Sequence, residues 1–225
     1  MRIRSIVACA VAAVAAPAVL AAPAEGIIDG SFTESAPWSA RLYQDGSDGY
    51  CTATVLSAEW ILTARHCIGG EHRWGFRIGD IEHARGEYVD AAPGGVTVHE
   101  QADLALVRLS RPVEAETVTL GTAADVAAGD TVTIHGWGRT EQDRQSPRLK
   151  NARLRVTDTA ATDAYGGRAI DATRIDGVCA MGDSGGPMFA ANGRQVGVLS
   201  TGGAATCQYT HLGAFHDWID SVTGG

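Results

Sequence analysis

The segment Asp176–Phe189, DGVCAMGDSGGPMF, contains the hexapeptide GDSGGP with Ser184 at its centre. Glycine, aspartate and serine all favour tight turns, so this segment alone is compatible with an ordinary surface loop. Glycines beside a serine also let the backbone turn sharply, and such a turn can present main-chain N–H groups to a ligand. Two other segments of the sequence decide between an ordinary loop and a catalytic one.

A histidine and an aspartate lie beside apolar runs upstream of Ser184. His66 follows the run WILTA in the segment TARHC, and Asp103 opens the run DLALVRL. Taken alone, either residue would more often have a structural role than a catalytic one. Together with Ser184 they form a set suited to nucleophilic catalysis. A serine hydroxyl is a weak nucleophile until a base accepts its proton, and that base needs an acid to fix its tautomer.

Short β-type runs bounded by Gly, Asp, Ser or Pro fill most of the chain, for example CTATVLS, TVTIHGWG and RQVGVLST. This regular spacing predicts an all-β sandwich or barrels. The 225 residues are enough for one domain, or for two small barrels that share a core. One helix is expected near the C-terminal end, where apolar residues recur at helical spacing. These residues are Phe215, Trp218, Ile219 and Val222.

Residues 1–24 have the features of a secretory signal peptide. Two arginines precede an apolar run at residues 6–20, and Ala22-Pro23-Ala24 has the small-x-small form of a cleavage site. A membrane anchor is the alternative, but the run is shorter than the ~20 residues that a span requires, and it contains Pro17. We therefore expect a secreted, extracellular protein with no membrane attachment after the signal is removed.

Loss of the first 26 residues would leave an acidic chain with an even number of cysteines. The net charge of −8 becomes about −9, which disfavours binding to nucleic acid or to anionic membranes. Four cysteines in an exported protein predict two disulfides, and three pairings are possible. The cysteines are Cys51, Cys67, Cys179 and Cys207. The seven histidines lack metal-binding spacings such as H-E-x-x-H, so we expect no metal and no cofactor.

From Ile27 onward the chain resembles the trypsin/chymotrypsin-like secreted serine proteases. The resemblance rests on the segments IIDG, TARHC, DLALVRL, HGWG, GDSGGP, LSTGG and YTHLGAFHDWI, which span nearly all of the chain after residue 26. It implies an all-β fold of two antiparallel six-stranded β-barrels packed together, with a C-terminal α-helix. The first barrel is expected at residues 27–120, and the second barrel with the helix at residues 121–225.

The resemblance implies catalytic roles by position in these motifs. Ser184 would be the nucleophile, His66 the base, and Asp103 the residue that orients the base. The amides of Gly182 and Ser184 would form an oxyanion hole. A buried ion pair is implied between Asp183 and the α-amino group of Ile27. No Lys or Arg directly precedes Ile27, so we expect the dipeptide at residues 25–26 to be trimmed by an aminopeptidase or a dipeptidyl peptidase.

The resemblance also implies the substrate site and the disulfides. Ser200 would support Asp103, and an edge strand would pair with the substrate backbone. The implied substrate-binding residues are Val178, Met181, Ser200, Thr201 and Gly202. The implied disulfide pairs are Cys51–Cys67 and Cys179–Cys207.

Four departures from the family pattern affect the substrate pocket or lie next to the base. Cys179 is shifted by one residue, and the loop before Cys207, at residues 203–206, is shortened or remodelled. Val178 stands where trypsin-type specificity needs an aspartate, which favours uncharged, small or medium apolar side chains, although a loop shift could bring Asp176 inward. Arg65 replaces a small residue before His66, so it either points to solvent or perturbs that histidine.

The sequence therefore predicts a secreted, monomeric serine endopeptidase that acts on peptides or proteins and is subject to protein inhibitors. Two alternatives stay open. One is a protease-like binding protein with weak or no catalysis, since fold does not fix function. The other is an acyl or ester hydrolase that uses the same triad.

Overall fold

The computed structural model describes residues 27–47, 51–140, 142 and 144–224. The predicted signal peptide and the dipeptide at residues 25–26 lie outside these ranges. Within them the chain is mainly β-strand, with one α-helix close to the C-terminal end. No helix in the described part of the chain is both long enough and apolar enough to cross a bilayer.

Six antiparallel strands close the first barrel in the order β2-β3-β4-β7-β6-β5. Side chains alternate between the two faces of a strand, so one set from each strand fills the interior. Leu42, Ile61, Phe76 and Leu106 are fully buried in this first core. The strands are β2 Ser39–Gln44, β3 Cys51–Ser57, β4 Trp60–Thr63, β5 Trp74–Ile78, β6 Glu87–Val98 and β7 Ala105–Leu109.

The second barrel is a ring of six strands in the order β8-β9-β10-β13-β12-β11, closed by pairing of β8 with β9. In β8 the burial alternates strictly, with Val132 and Ile134 facing the second core. The short strand β1, Ser31–Phe32, adds to β9 outside the ring. The ring strands are β8 Thr131–Gly136, β9 Lys150–Thr162, β10 Arg168–Arg174, β11 Pro187–Phe189, β12 Gln195–Gly202 and β13 Thr206–His211.

The helix α1, His216–Thr223, follows the predicted apolar stripe. Gly224 ends it in the left-handed conformation, with φ of 92° and an N–H bond to the Asp220 carbonyl oxygen. The stripe residues pack against the first core; they are Phe215, Trp218, Ile219 and Val222. The predicted fold of two six-stranded barrels with a C-terminal helix is thus confirmed.

The start of the chain packs on the second barrel, and the C-terminal helix packs on the first, although a boundary at residue 120 groups each with the other barrel. Ile27 is fully buried in the core of the second barrel, and β1 joins the second sheet. The helix α1 instead covers the first core. Each end of the chain therefore crosses the interface between the barrels, and this crossing ties the two barrels together.

Hydrogen bonds cross between the barrels near GDSGGP. The Thr52 N–H donates to the Ser184 carbonyl oxygen at 2.8 Å, and the Thr52 hydroxyl donates to the Gly182 carbonyl oxygen at 3.1 Å. Thr54 Oγ1 donates to Gln195 Oε1 at 2.9 Å inside the interface. The serine loop of the second barrel is therefore held against β3 of the first.

Candidate active site

Asp103 is a fully buried carboxylate just before β7, and its oxygens accept three hydrogen bonds. The backbone N–H of His66 donates to Oδ1 at 2.9 Å. The imidazole Nδ1 of His66 lies 2.7 Å from Oδ2, and the hydroxyl of Ser200 donates to the same oxygen at 2.7 Å. These bonds compensate the loss of hydration and fix the imidazole with Nδ1 towards the carboxylate, which leaves Nε2 to act as a base.

His66 lies in the 3-10 turn Arg65–Cys67, directly after β4. The disulfide Cys51–Cys67 ties this turn to β3. About a third of the His66 side chain is exposed, so the ring borders the cleft. The atoms of Cys51, His66 and Cys67 cluster within 4.8 Å of one another, but the two sulfurs are bonded together and are not thiolate ligands. This cluster therefore cannot hold a metal through its sulfurs.

The loop that carries Ser184 depends on glycine at two positions. Gly182 and Gly185 have φ of 99° and 78°, in the left-handed region that favours glycine. A Cβ at position 185 would lie 2.2 Å from Thr63 Oγ1 and 2.4 Å from the Thr52 carbonyl oxygen. The serine loop therefore packs directly on the segment that leads into the His66 turn.

The amide groups of this loop are available to a ligand. Within the described residues, the N–H groups of Gly182 and Ser184 donate to no protein acceptor, whereas those of Asp183 and Gly185 do. In the same part of the chain, Ser184 Oγ makes no hydrogen bond to His66 Nε2. Catalytic hydrogen bonds are often long before substrate binds. The arrangement offers two unpaired donors beside a serine hydroxyl at the edge of a cavity.

Asp183 points away from the cleft into the second barrel, where it is 1% exposed. Its oxygens accept from the Gly138 N–H at 2.7 Å and from the Ala180 N–H at 2.8 Å. Burial raises the pKa of this carboxyl to about 7, against the opposing effect of the two amides and of the charges of Lys150 and Arg41. A further positive charge next to Asp183 would therefore be needed to keep its carboxyl group fully ionised at neutral pH.

Lys150 is a site residue that the sequence reasoning missed. It is 1% exposed, and its Nζ donates to the Ile27 carbonyl oxygen at 3.1 Å. Lysines are rarely fully buried without a partner, and here the charge of Lys150 also acts on Asp183. A lone lysine at the start of β9 has no distinguishing sequence signal, so only the fold reveals that it faces the buried ends of Ile27 and Asp183.

A cavity of about 390 Å³ opens beside Ser184. Its lining contains no charged side chain. Among the predicted substrate-binding residues, Met181, Ser200, Thr201 and Gly202 line it. The other lining residues are Ile28, Cys179, Ala180, Ser184, Leu199 and Gly203.

Val178 is the predicted pocket residue that the structure places elsewhere. It is 1% exposed in the second core, and its N–H donates to the Ile28 carbonyl oxygen at 3.0 Å. With the one-residue offset, Cys179 rather than Val178 lines the cavity. A Cβ at position 202 would lie only 2.7 Å from Cys179 Sγ. Cys179, which is bonded to Cys207, thus stands in the pocket wall where Val178 was expected.

Two charged residues flagged in the sequence are held away from the cavity and the base. Asp176 is exposed and forms a salt bridge of 2.7 Å with Arg153. The guanidinium of Arg65 donates to the carbonyl oxygens of His99 and Glu100, and it lies over the ring of Tyr165 at 4.3 Å from the centroid. Asp176 therefore does not enter the pocket, and Arg65 is engaged by the neighbouring loop.

The strand β12 extends beyond its partner on one side. The pairing of β11 with β12 ends at Val198, whereas β13 continues alongside as far as Gly202. Among the described strands, none covers the other edge of Ser200–Gly202. An extended peptide could therefore add to this edge by backbone hydrogen bonds.

Comparisons with known proteins agree with this geometry. The sequence model of the family described as Trypsin matches residues 27–219. Brachyurin from Leptuca pugilator is 33% identical over 214 residues, which cover 84% of this chain and 93% of the relative. Protein C activator from Agkistrodon contortrix contortrix is 30% identical over 213 residues, which cover 83% of this chain and 90% of the relative.

The fold has a close counterpart among solved structures. Neuropsin, a serine protease expressed in the limbic system of mouse brain, superposes with a TM-score of 0.75 at 22% identity, covering 88% of this chain and all of its own. The chain belongs to the trypsin family of serine endopeptidases, whose members act on peptide and protein substrates.

Proposed function

We propose that this protein is a secreted serine endopeptidase that cleaves peptide bonds through Ser184, His66 and Asp103 by way of an acyl-enzyme. The observation that carries the proposal is the buried carboxylate of Asp103, which accepts from both the backbone and the ring of His66 and from Ser200. A buried charge satisfied in this way fixes the imidazole in one tautomer and stabilises the imidazolium that forms during proton transfer.

The chemistry follows from these positions. Ser184 Oγ attacks the scissile carbonyl carbon while its proton passes to His66 Nε2. The same proton then goes to the leaving amine, and the C–N bond breaks to leave an ester on Ser184. A water molecule next gives a proton to His66 Nε2 and attacks the ester carbon. The bond between that carbon and Ser184 Oγ then breaks, the acid leaves, and His66 Nε2 returns the proton to Ser184 Oγ.

The two unpaired amides stabilise the charge that develops on the carbonyl oxygen. The N–H groups of Gly182 and Ser184 are free to donate to that oxygen, and loss of one such donor typically costs about 10²- to 10³-fold in rate. The edge of Ser200–Gly202 would bind the substrate backbone as an added strand. This supports a peptide substrate over a simple ester.

We propose a preference for uncharged, small or medium apolar side chains at the position before the scissile bond. The cavity beside Ser184 has no charged lining residue, so a lysine or arginine would be buried there without a partner. Cys179, held by its disulfide to Cys207, also lines this cavity next to Gly202. A peptide-library cleavage profile tests this preference, and dominant cleavage after Lys or Arg would overturn it.

Maturation at Ile27 is supported by the backbone at that residue. In the chain with residues preceding it, Ile27 has φ of 32°, a value that β-branched residues rarely adopt. The φ angle of Ile27 exists only while its nitrogen is joined to the carbonyl carbon of residue 26, so hydrolysis of that peptide bond removes the strain of about 1–3 kcal/mol. The new α-ammonium group would pair with Asp183. N-terminal sequencing of the active, secreted protein tests this; full activity with a start at Glu25 would contradict it.

We propose that the protein is an extracellular monomer. Its proposed partners are peptide or protein substrates and protein inhibitors of proteases. The net charge of −8 argues against nucleic acid as a partner. Size-exclusion chromatography with light scattering tests the monomer.

Labelling with a serine-directed fluorophosphonate tests the enzymatic proposal itself. Protein that begins at Ile27 should take up one label per chain, and Ser184→Ala should abolish both labelling and peptide cleavage. Ser221→Ala, on the exposed face of α1, is the matched control and should behave as wild type. Absence of labelling in correctly trimmed protein would favour a binding protein without catalysis. Labelling with ester hydrolysis but no peptide cleavage would favour an acyl hydrolase.

A further inference from the structure

Asp163 is a second nearly buried carboxylate beside the candidate triad. It begins the turn at residues 163–167 that joins β9 to β10, and it is 6% exposed. No salt bridge within the described residues neutralises it. Four neutral donors satisfy its oxygens instead, and a buried carboxylate satisfied this completely is held in a single position.

One oxygen of Asp163 is bonded to the main chain of Asp103. The backbone N–H of Asp103 donates to Asp163 Oδ2 at 2.9 Å, and the hydroxyl of Thr210 donates to the same oxygen at 2.8 Å. Thr210 Oγ1 also lies 3.3 Å from the Asp103 carbonyl oxygen. The peptide unit at Asp103 is therefore fixed from the second barrel, although Asp103 belongs to the first.

The other oxygen shapes the turn itself. The N–H groups of Tyr165 and Gly167 both donate to Asp163 Oδ1 at 2.9 Å. The turn then presents the Ala164 N–H to Ser200 Oγ at 3.3 Å, and this hydroxyl donates to the carboxylate of Asp103. Asp163 thus reaches Asp103 by two routes, one through its backbone and one through Ser200.

Close packing leaves this arrangement little freedom. A Cβ at Gly167 would lie 2.5 Å from the Ala102 Cβ and 2.8 Å from Asp163 Oδ2. The turn is therefore in direct contact with the residue before Asp103. A shift of the turn would move the backbone of the orienting carboxylate, and with it the imidazole of His66.

We propose that Asp163 is a positioning residue for catalysis, which holds Asp103 and Ser200 in register across the interface between the two barrels. It touches neither substrate nor the reacting atoms, and it acts only through these two residues. The inference rests on the proposed triad, but its test is separate. Loss of all activity in Ser184→Ala tests the triad, whereas Asp163 variants test the support in an enzyme already known to be active.

The first variant is Asp163→Asn. Asparagine has nearly the same shape, but its NH₂ group cannot accept a hydrogen bond. It faces either the N–H groups of Tyr165 and Gly167, which loses two bonds, or the Asp103 N–H and the Thr210 hydroxyl, which loses at least the bond from Asp103 because only the hydroxyl can turn to accept. On active-site-titrated enzyme we expect kcat to fall by roughly 10- to 100-fold with KM changed by less than about threefold, because misplacement of the triad slows chemistry rather than binding.

Asp158→Asn is the matched control. It makes the same chemical and charge change in the same β9–β10 hairpin, at an exposed carboxylate that accepts only from the Ala160 N–H at 2.8 Å among the described residues. Its kcat should stay within about twofold of wild type. An equal fall of kcat in both variants would show that charge loss in the hairpin, not support of Asp103, is responsible, and would overturn the proposal.

Two readouts separate positioning from stability. The low-field proton resonance of the His66 Nδ1–H bond to Asp103 should shift or broaden in Asp163→Asn, at a temperature where the variant is fully folded. If melting temperature falls while kcat and this resonance stay at their wild-type values, the role is structural only and the proposal fails.

Thr210→Val keeps the test decisive if Asp163→Asn does not fold. It removes the hydroxyl bond to Asp163 and leaves the carboxylate and the turn in place. We expect kcat to fall by more than about twofold at unchanged KM. A kcat within that limit in folded Thr210→Val would overturn the inference.

Discussion

The buried carboxyl of Asp183 makes the stability of the uncleaved chain depend on pH in the opposite direction to that of most carboxyl groups. Its pKa is raised from 3.8 to about 7, because burial outweighs the two amide bonds and the charges of Lys150 and Arg41. Between those values the folded state holds a proton that the unfolded state has lost. The free energy of unfolding therefore falls as pH rises, by about 4 kcal/mol from about pH 3.5 to about pH 8.

Cleavage before Ile27 should remove this dependence. An α-ammonium group next to Asp183 favours the ionised carboxylate and returns its pKa towards or below the ordinary range. The mature chain would then gain, relative to the uncleaved one, up to about 4 kcal/mol at neutral pH and much less near pH 4. The burial of Ile27 in the second core is thereby coupled to the ionisation of Asp183.

Urea unfolding of four proteins measures the effect. Chains with and without the residues before Ile27 are compared, each with Asp183 or with Asp183→Asn, all in a Ser184→Ala background that prevents self-digestion. The difference in unfolding free energy between the Asp183 protein and its Asp183→Asn variant should change with pH in the uncleaved chain. In the mature chain it should hardly change. Taking this difference cancels the contribution of other titrating groups.

Two results would refute the reasoning. Equal pH dependence of this difference in the uncleaved and mature chains would mean that the new terminus does not reach Asp183. A difference that grows in favour of Asp183 as pH rises in the uncleaved chain would mean that the carboxylate is already fully paired, with Lys150 as the candidate partner.

Four further predictions follow from single contacts. Ser200→Ala removes the 2.7 Å bond to the carboxylate of Asp103, worth about 1.5–3 kcal/mol, and should lower kcat about 10-fold or more in steady-state assays. Gly202→Ala puts a Cβ against Cys179 Sγ, so KM should rise more for medium than for small apolar side chains; equal effects would contradict the pocket assignment. Burial lowers the pKa of His135 to about 4, so the free energy of unfolding should fall by up to about 3 kcal/mol from about pH 6.5 to about pH 4. In urea unfolding, His135→Gln should abolish this contribution to the pH dependence. Ile219→Ala should destabilise the chain by about 2–5 kcal/mol, with kcat unchanged at low temperature, because this fully packed side chain joins α1 to the first core.

Much of the fold could be predicted from local pattern. The run CTATVLS coincides with β3, and the stripe of apolar residues at helical spacing coincides with α1. Such patterns are visible because strand and helix each bury one face with a fixed period. The segments around His66, Asp103 and Ser184 could also be recognised. Each combines a residue type suited to nucleophilic catalysis with a short motif that few unrelated sequences contain.

The pocket could not be predicted in the same way. Counting residues back from Ser184 puts Val178 at its base, yet the structure turns Val178 into the core and brings Cys179 to the wall. A one-residue offset reverses which side chain faces a cavity because neighbouring residues point in different directions. The outcome also depends on Cys207, 28 residues away, which constrains Cys179 through the disulfide.

Local periodicity in the sequence indicated the strand-rich class, and the short motifs around His66, Asp103 and Ser184 carried the resemblance that implied two barrels and the candidate catalytic residues. Only the tertiary structure decided how Asp163, Lys150 and the Cys179–Cys207 bridge surround these motifs. Each of these acts on a residue far away in the chain: Asp163 on Asp103, and Lys150 on Ile27. Contacts of this kind arise from packing two barrels together, and no local pattern encodes them.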